Sequence, residues 1–254
     1  MNTDKTLVIQ SHCNPLPYPW LEKCLASVRQ WAASRHYHYQ FIGDELFGYI
    51  PAELIEKTRS QKVIATDLAR LRLIQNYLND YMTVIWCDAD FLIFNPERFD
   101  LTDDSFAIGR EVWIQDNDNQ LKVYIKVHNA FLMFRKGNSF LDFYADTAEN
   151  LLRRNTGPMP PQFIGPKLLT ALHNIVQCPV METAGMLSPL VIRDIAHQSG
   201  PALELFLSHC KQPVYAANLC ASLCAEKVDA EKEIEICIEV LLNKKIILQR
   251  EFLP

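Results

Sequence analysis

The stretch Thr83–Phe91, with the sequence TVIWCDADF, carries most of the information about the fold. Its first five residues are apolar or β-branched, which predicts a short strand buried on both faces, as in a parallel sheet. Asp88 and Asp90 follow this strand directly. Because ligands in open α/β sheets bind beyond the carboxyl ends of the strands, these two carboxylates are predicted to lie at a binding site.

The spacing of the two carboxylates favours a metal ion. Side chains two residues apart in an extended chain point the same way, and two carboxylates so placed repel each other unless a cation or hydrogen-bond donors compensate. A hard divalent cation would suit their oxygen atoms. The structural alternative is that Asp88 caps a turn while Asp90 is solvated. A second Asp-x-Asp, at Asp116–Asp118, follows no predicted strand, and we interpret it as a solvated turn.

The helix predicted before this strand contains a charged pair. Apolar residues between Ile64 and Leu78 recur at helical spacing and form one stripe. Asp67 falls within the stripe, and Arg70 lies beside it three residues later. A carboxylate on a core-facing surface needs a partner, and an arginine at i+3 is one. The pair is therefore either a buried structural ion pair or a pair at a cleft edge that binds a polar ligand.

Strands and helices alternate through the first half of the chain. This order predicts an α/β fold, an α/β/α sandwich with a mainly parallel central sheet. The predicted strands, besides Thr83–Cys87, are Leu7–Gln10, Tyr37–Ile42, Ser105–Ile108, Lys122–Val127, Ala130–Phe134 and Ile246–Leu248. The predicted helices are Trp20–Ser34, one or two pieces between Pro51 and Leu78, Ser139–Arg153, a short helix opening at Gly165-Pro166, and a charged helix from Ala225.

Composition narrows the class of protein. The 254 residues are 49% hydrophobic, which excludes a disordered chain, and the net charge of −5 argues against a nucleic-acid partner. The eight cysteines form no CxxC, so we expect small buried side chains in a reducing compartment. No apolar run approaches the roughly 20 residues of a membrane helix, and the chain starts MNTDKT without an apolar signal segment. We therefore expect a cytoplasmic protein.

The charged pair and the carboxylate motif together resemble a known family. Thr66–Arg70 (TDLAR), Val84–Asp90 (VIWCDAD) and the later Pro96 are similar to the pattern of the DxD-motif sugar transferases. That pattern is Ser-Asp-x-x-Arg on a helix, an apolar strand ending in Asp-x-Asp, and a turn containing proline. Capsular-polysaccharide synthesis proteins and the yeast-type initiating mannosyltransferases carry it. Thr66 replaces the usual serine and keeps the hydroxyl.

Weaker matches extend the resemblance over roughly residues 7–223. Asn129–Phe131, followed by Lys136-Gly137, is similar to an Asn-x-hydrophobic segment with a following Lys-Gly in the family. The stretch Gly165–Thr170 (GPKLLT) resembles its Gly-Pro helix start, and Gln10 resembles the glutamine of its Ile-His-Gln opening. Only the block from residue 67 to residue 96 matches the family's pattern specifically.

The resemblance implies a fold and an activity. It implies one GT-A domain over residues 1–254, with a nucleotide-sugar half at about 1–110 and an acceptor-side half at about 111–254. The implied reaction is metal-dependent transfer of a hexose from a nucleotide-diphosphate sugar, a UDP-sugar ahead of GDP-mannose, with retention of anomeric configuration. The acceptor would be a glycan, a lipid or a protein.

Roles for individual residues follow from the same resemblance. Asp90 would coordinate Mn²⁺ or Mg²⁺ directly, and Asp88 would reach the donor ribose, or the metal through water. Asp67 would accept hydrogen bonds from sugar hydroxyls, and Arg70 would neutralise charge. Further donor-binding candidates are Gln10, Asn129 and the helix-opening Gly165, whose amides could hold a phosphate or an acceptor hydroxyl.

One motif departs from the family. Near the C-terminal end the family often has His-x-Trp, whose histidine approaches the metal or the phosphates. Asn218 stands in the place of that histidine and Cys220 in the place of the tryptophan. Since asparagine can ligate a cation through its carbonyl oxygen, Asn218 is the third predicted metal ligand.

Two alternatives stay open at this point. Haloacid-dehalogenase-like phosphatases also place Asp-x-Asp after an apolar strand, but they need Thr or Val two residues beyond the second Asp, where this chain has Leu92. The altered His-x-Trp motif also fits a non-catalytic protein that binds nucleotide sugars. Among the seven histidines, which form no pair at metalloprotease spacing, His128 beside Asn129 is the one to follow.

Overall fold

The computed structural model describes residues 5–220, 230–243 and 248. The helices in these ranges are α1 (Trp20–Ser34), α2 (Ala52–Lys57), α3 (Lys62–Tyr77), α4 (Ser139–Arg154), α5 (Pro166–Val176), α6 (Pro189–Ala196), α7 (Pro201–His209) and α8 (Ala230–Asn243). The strands are β1 (Thr6–Ser11), β2 (His38–Ile42), β3 (Thr83–Cys87), β4 (Phe91–Ile93), β5 (Phe106–Asn117), β6 (Gln120–Arg135), β7 (Val180–Met181), β8 (Ala184–Met186) and β9 (Ala216–Asn218).

The main sheet has the strand order β2-β1-β3-β6-β5-β7. β1 pairs in parallel with β2 and with β3, and β5 pairs in parallel with β7. The two remaining pairings, β3 with β6 and β6 with β5, are antiparallel. Parallel pairings are therefore the majority, as predicted. A smaller sheet, in the order β4-β9-β8, lies beyond the carboxyl end of β3.

Helices cover both faces of the main sheet. Along β1, Leu7 and Ile9 pack with apolar residues of α3, α4 and α5, whereas Val8 packs on the opposite face with Val28 and Trp31 of α1. Successive side chains of a strand point to opposite faces, so this alternation requires an apolar layer on each side. The predicted α/β/α sandwich is confirmed.

A further apolar cluster lies outside the sandwich. It joins residues of α1, α6, α7 and α8 to Val112 and Ile114 of β5. Within the described ranges, no helix combines the length and the apolarity that crossing a membrane requires.

Most elements of the first half follow the prediction, and the largest difference is a hairpin. The sequence suggests separate short strands, whereas β5 continues to Asn117 and pairs with β6 over its whole length. The turn consists of Asp118 and Asn119, both with positive φ (55° and 63°), a conformation that suits these residue types. Asp116 is therefore a strand residue, and of the predicted turn Asp116–Asp118 only Asp118 lies in a turn.

Some predictions concern residues at the edge of the described ranges. The helix predicted from Ala225 is described from Ala230, and of the predicted strand Ile246–Leu248 only Leu248 is described, where it bridges to Val214. The small sheet and the helices α6 and α7 have no counterpart in the prediction. No disulfide joins the described cysteines, several of which are buried as expected, although Cys13 is exposed.

Candidate active site

Adjacent parallel strands bring Gln10 beside the carboxylate motif. β1 and β3 pair with Ile9 opposite Trp86, so both strands end at the same edge of the sheet. Gln10 is buried there, and its Nε2 donates a hydrogen bond to the backbone oxygen of Asp88 at 3.0 Å. The Tyr39 hydroxyl donates to Gln10 Oε1 at 3.1 Å. Gln10 therefore fixes the backbone at the point where β3 ends.

The Asp88 carboxylate is held through one of its oxygens. Asp88 Oδ1 accepts a hydrogen bond from Arg70 Nη1 at 2.8 Å and another from Trp86 Nε1 at 2.7 Å. Its other oxygen, Oδ2, makes no hydrogen bond to the described part of the chain, and the side chain is 27% exposed. Asp88 is thus oriented by the protein with one oxygen left for a ligand.

Arg70 is a buried cation between two carboxylates. Besides Asp88, its Nη1 donates to the backbone oxygen of Asn129 at 2.8 Å, and its Nη2 lies 3.3 Å from Asp67 Oδ1. Burial disfavours the charged guanidinium, but Asp88 and Asp67 outweigh it and raise the pKa of Arg70. The Arg70 side chain is only 4% exposed, so the pair is a buried ion pair, and both of its residues also border the larger cavity.

Asp67 is closely enclosed by Asn129 and Gly165. Asn129 Nδ2 donates to Asp67 Oδ1 at 2.8 Å, and a β-carbon added at Gly165 would overlap the Asp67 carboxylate. The opening of helix α5 therefore needs glycine for the close approach of Asp67. Burial raises the pKa of Asp67 to about 6, although Arg70 and the hydrogen bond from Asn129 oppose the shift. Asp67, Arg70, Asn129 and Gly165 form one contiguous cluster.

The small sheet joins Asn218 to Asp90. β4 and β9 are antiparallel and place Asn218 opposite Phe91, next to the second carboxylate of the motif. Asn218 Nδ2 donates to Asp90 Oδ1 at 2.6 Å, while Asn218 Oδ1 accepts from the backbone nitrogen of Cys220 at 2.8 Å. Residues 128 positions apart in the chain thus meet at the carboxylate motif.

Two cavities meet at these carboxylates. A cavity of about 400 Å³ is bordered by residues 11–13 at the end of β1, by Gly43 and Asp44, and by the N-terminal part of α3. A larger one, of about 700 Å³, is bordered by the β5–β6 hairpin, by the start of α5, and by Asn218 and Cys220. Both are lined by Val63, Arg70, Asp88 and Asp90. The Asp-x-Asp motif therefore lies at the junction between them.

The donor atoms at this junction fit Mg²⁺ or Mn²⁺ bound together with a phosphate ligand. Asp88 and Asp90 supply hard carboxylate oxygens. Asn218 borders the same cavity, but its amide nitrogen faces Asp90 and its amide oxygen accepts from the backbone nitrogen of Cys220, so this arrangement does not present that oxygen to the motif. In the parts of the chain that the structure describes, no three His, Cys, Asp or Glu side chains cluster so as to hold a metal by themselves. Mg²⁺ in phosphate-binding sites commonly uses one or two carboxylates and takes its other ligands from substrate phosphates and water.

His128 has a structural position. It is fully buried, its Nε2 lies 3.2 Å from the backbone oxygen of Ala184, and its Nδ1 accepts a hydrogen bond from the backbone nitrogen of Ala130 at 3.2 Å. Burial lowers the pKa of His128 to about 4, so the ring is neutral at physiological pH. The contact ties β6 to β8 and leaves His128 outside the lining of both cavities.

The sequence did not predict that the β5–β6 hairpin borders the larger cavity. The hairpin presents Glu111 and Trp113 from β5 and Tyr124 from β6. An available signal was the alternation of Val112 and Ile114 with polar or aromatic neighbours ahead of an Asp-Asn turn, a typical hairpin pattern. The polarity of the stretch concealed it.

Comparison with known proteins shows which solved structures share this fold. No protein-family model matches the sequence, and no curated protein matches it significantly. A glycosyltransferase involved in the glycosylation of the major capsid of PBCV-1 has 13% sequence identity, with 91% of this chain and 99% of that chain covered and a TM-score of 0.51. At this identity the similarity is one of fold, and the chain has the GT-A-type fold that the sequence predicted.

Two further structures show more distant similarity. The galactosyltransferase LgtC, solved with donor and acceptor sugar analogues, has 14% identity and a TM-score of 0.44, with 91% of this chain and 95% of that chain covered. The apo form of the glycosyltransferase GlyE from Streptococcus pneumoniae TIGR4 has 13% identity and a TM-score of 0.46, with 96% and 63% covered.

Proposed function

We propose that this protein is a metal-dependent glycosyltransferase that moves a hexose from a nucleotide-diphosphate sugar to an acceptor hydroxyl. A UDP-sugar is the favoured donor, ahead of GDP-mannose, and the relationship to the capsular-polysaccharide and mannosyltransferase group is part of the proposal, as is a cytoplasmic location. The observation that carries it is the position of Asp88 and Asp90, oriented by Arg70 and Asn218, where two cavities meet at the end of β3.

The cavities support the division of the chain into two halves. Every residue that lines the smaller cavity lies between Ser11 and Asp90, within the proposed donor half at about 1–110. The larger cavity adds residues from Glu111 to Cys220, within the proposed acceptor half at about 111–254. Donor and acceptor would then approach the carboxylates from opposite sides.

The carboxylates would hold the donor diphosphate through a cation. In this proposal Asp90 would bind Mn²⁺ or Mg²⁺ directly, and Asp88 would use its Oδ2 toward the metal shell or the ribose. Asn218 would hold the Asp90 carboxylate through its amide nitrogen, and it would become a third ligand only if its amide turned over, because its oxygen accepts from Cys220. When bound, the cation supplies positive charge to the departing diphosphate. Gln10 acts by fixing the backbone of Asp88, a positioning role within the donor site.

The buried cluster would form the sugar side of the donor site. Arg70 keeps positive charge beside the carboxylates, while Asp67 and Asn129 border the larger cavity next to the Gly165 helix start. Because the Asp67 side chain is only 5% exposed, it would meet a sugar hydroxyl at the cavity edge and otherwise orient Arg70 and Asn129.

The proposed transfer exchanges one bond of the anomeric carbon for another. The bond between the anomeric carbon and the diphosphate oxygen breaks, and the nucleoside diphosphate leaves with the electron pair. An acceptor hydroxyl oxygen forms the new bond to that carbon, and its proton passes to the departing diphosphate. We propose retention of configuration, in keeping with the family that the motif resembles. The protein's part is to place the two substrates and to compensate the developing charge.

Release of free sugar tests this function without knowledge of the acceptor. The purified protein is incubated with Mn²⁺ and, in turn, with UDP- and GDP-sugars, and slow release of free sugar and nucleoside diphosphate is measured. We expect release with at least one donor, its loss in Asp90→Ala, and its persistence in Asp116→Ala, which alters the exposed second Asp-x-Asp. Binding of a nucleotide sugar without release of free sugar would support the non-catalytic alternative. Equal release of free sugar by Asp90→Ala and the wild type would refute the assignment of the site to the Asp88–Asp90 motif.

A further inference from the structure

The β5–β6 hairpin presents a polar and aromatic face to the larger cavity. Val112 and Ile114 face the opposite way, into the apolar cluster with α6, α7 and α8. Because side chains alternate along a strand, the residues between and beside them face the cavity. Strand pairing adds the residues opposite, since Glu111 pairs with Lys126 and Trp113 with Tyr124. These residues, with Gln115, form what we call the hairpin wall.

Glu111 is the unusual member of the hairpin wall. It is only 9% exposed, yet it makes no hydrogen bond or ion pair with the described residues. The amine of Lys126, its strand partner, lies over the Tyr124 ring at 5.5 Å from the centroid. Burial raises the pKa of Glu111, and Lys126 only partly opposes this. The Glu111 oxygens are accessible at the larger cavity, where hydroxyl groups of a bound ligand could donate to them, and the cavity is large enough to hold such a ligand.

The aromatic residues narrow the chemistry of that ligand. Trp113 is half-buried and Tyr124 is held by Asn117, whose Nδ2 donates to the Tyr124 hydroxyl at 3.0 Å. Flat rings of this kind offer apolar surface beside polar groups. A sugar ring has the matching surface, with a C–H face that can lie on an aromatic ring and hydroxyls that can donate to a carboxylate. A lipid chain would leave Glu111 without donors.

We propose that the hairpin wall binds a saccharide acceptor, with Trp113 against the face of a sugar ring and Glu111 accepting hydrogen bonds from its hydroxyls. This inference rests on the proposed glycosyl transfer and names the acceptor as a glycan. The larger cavity opens onto Asp88 and Asp90, so a sugar on the hairpin wall would present a further hydroxyl to the donor. Glu111 would then be the residue that determines which acceptor sugars bind.

A transfer assay with added saccharides measures glycosylation of the acceptor separately from hydrolysis of the donor. With the donor identified by free-sugar release, methyl glycosides of glucose, galactose and mannose, together with lactose and maltose, are added as probes, and transfer products are measured against hydrolysis. We expect at least one saccharide to be glycosylated by the wild-type protein. In Glu111→Gln, which keeps the shape of the side chain, and in Trp113→Leu, we expect the KM for that saccharide to rise about tenfold or more.

A residue on the opposite face of the same hairpin serves as the control. Ile125 lies between Tyr124 and Lys126 but is exposed and outside the cavity, so Ile125→Thr should leave the saccharide KM within about twofold of the wild type. Donor hydrolysis without glycosylation of any probe would overturn the saccharide inference and leave the proposed function standing. An unchanged saccharide KM in Glu111→Gln and Trp113→Leu would overturn it as well. Absence of both hydrolysis and transfer would overturn both proposals.

Discussion

Arg70 Nη1 lies 2.8 Å from Asp88 Oδ1, and this contact joins helix α3 to the end of strand β3. The same nitrogen donates to the backbone oxygen of Asn129 in β6, so one guanidinium connects three elements. Asp67 Oδ1 lies 3.3 Å from Arg70 Nη2, and the guanidinium lies over the Trp86 ring at 5.1 Å from the centroid. The orientation of Asp88 therefore depends on a cation that is almost inaccessible to solvent.

Removal of this cation should destabilise the protein strongly. Arg70→Met leaves Asp67 and Asp88 without their shared partner, and breaking a buried ion pair in this way typically costs about 3–5 kcal/mol. We expect a loss of that order in the free energy of unfolding, measured by urea denaturation. Arg59→Met removes an exposed ion pair with Glu56 and should cost less than about 1 kcal/mol. Equal losses in the two variants would contradict the bridging role of Arg70.

Asp67 should make stability depend on pH in an unusual direction. Its folded pKa is raised from 3.8 to about 6, so the folded state holds the proton more tightly and the free energy of unfolding falls as pH rises through this window. Two pKa units correspond to about 3 kcal/mol at most. The wild type should therefore lose stability relative to Asp67→Asn between pH 4 and pH 6.

The measurement is the difference in unfolding free energy between these two proteins at several pH values. His128 acts in the opposite direction in the same window, because burial lowers its pKa to about 4. Both proteins contain His128, so its contribution cancels in the difference. A difference that stays constant, or that grows in favour of the wild type as pH rises, would show that Asp67 is not a buried carboxylate of raised pKa.

Gly109 should resist substitution because of His128. A β-carbon at Gly109 would overlap the imidazole ring, at the point where the β5–β6 register shifts. Overpacking of this kind usually costs about 1–3 kcal/mol, and we expect Gly109→Ala to destabilise the protein by that amount in urea denaturation. Gly48→Ala, at an exposed glycine with open space around it, should change stability by less than about 1 kcal/mol.

A double-mutant cycle identifies the cause. If the methyl group clashes with the ring, His128→Ala and Gly109→Ala should be clearly non-additive, because the smaller side chain makes room for the methyl group. Additive effects would mean that the backbone at Gly109, rather than the histidine, sets the requirement.

The sequence was informative where local pattern and chemistry coincide. The strand Thr83–Cys87 is apolar throughout, and the pair Asp67 and Arg70 interrupts an apolar helical stripe, so both could be recognised without tertiary information. The approach of Asn218 to Asp90 could only be suggested by resemblance, since no local pattern links residues 128 positions apart.

The hairpin wall escaped prediction for a different reason. One face of β5 lines a cavity and carries Glu111 and Gln115, so the stretch looks like a polar loop although Val112 and Ile114 alternate through it. The cavity that Glu111 borders is completed by residues that are distant in the chain, such as the start of α5 and the end of β9. The amino-acid sequence does not show that Glu111 makes no hydrogen bond or ion pair with the described residues, because this depends on how the chain folds around it.

Metal-dependent binding of a nucleoside diphosphate at Asp90 tests the central claim most directly. Thermal unfolding of the wild type and of Asp90→Ala is followed with UDP or GDP, each with and without Mn²⁺. A ligand at 100 times its dissociation constant adds about 2.7 kcal/mol to the stability of the state that binds it. We predict a rise of several degrees in the wild type only when nucleotide and Mn²⁺ are both present, and no such rise in Asp90→Ala. An equal rise in Asp90→Ala, or a rise that is independent of Mn²⁺, would contradict the assignment.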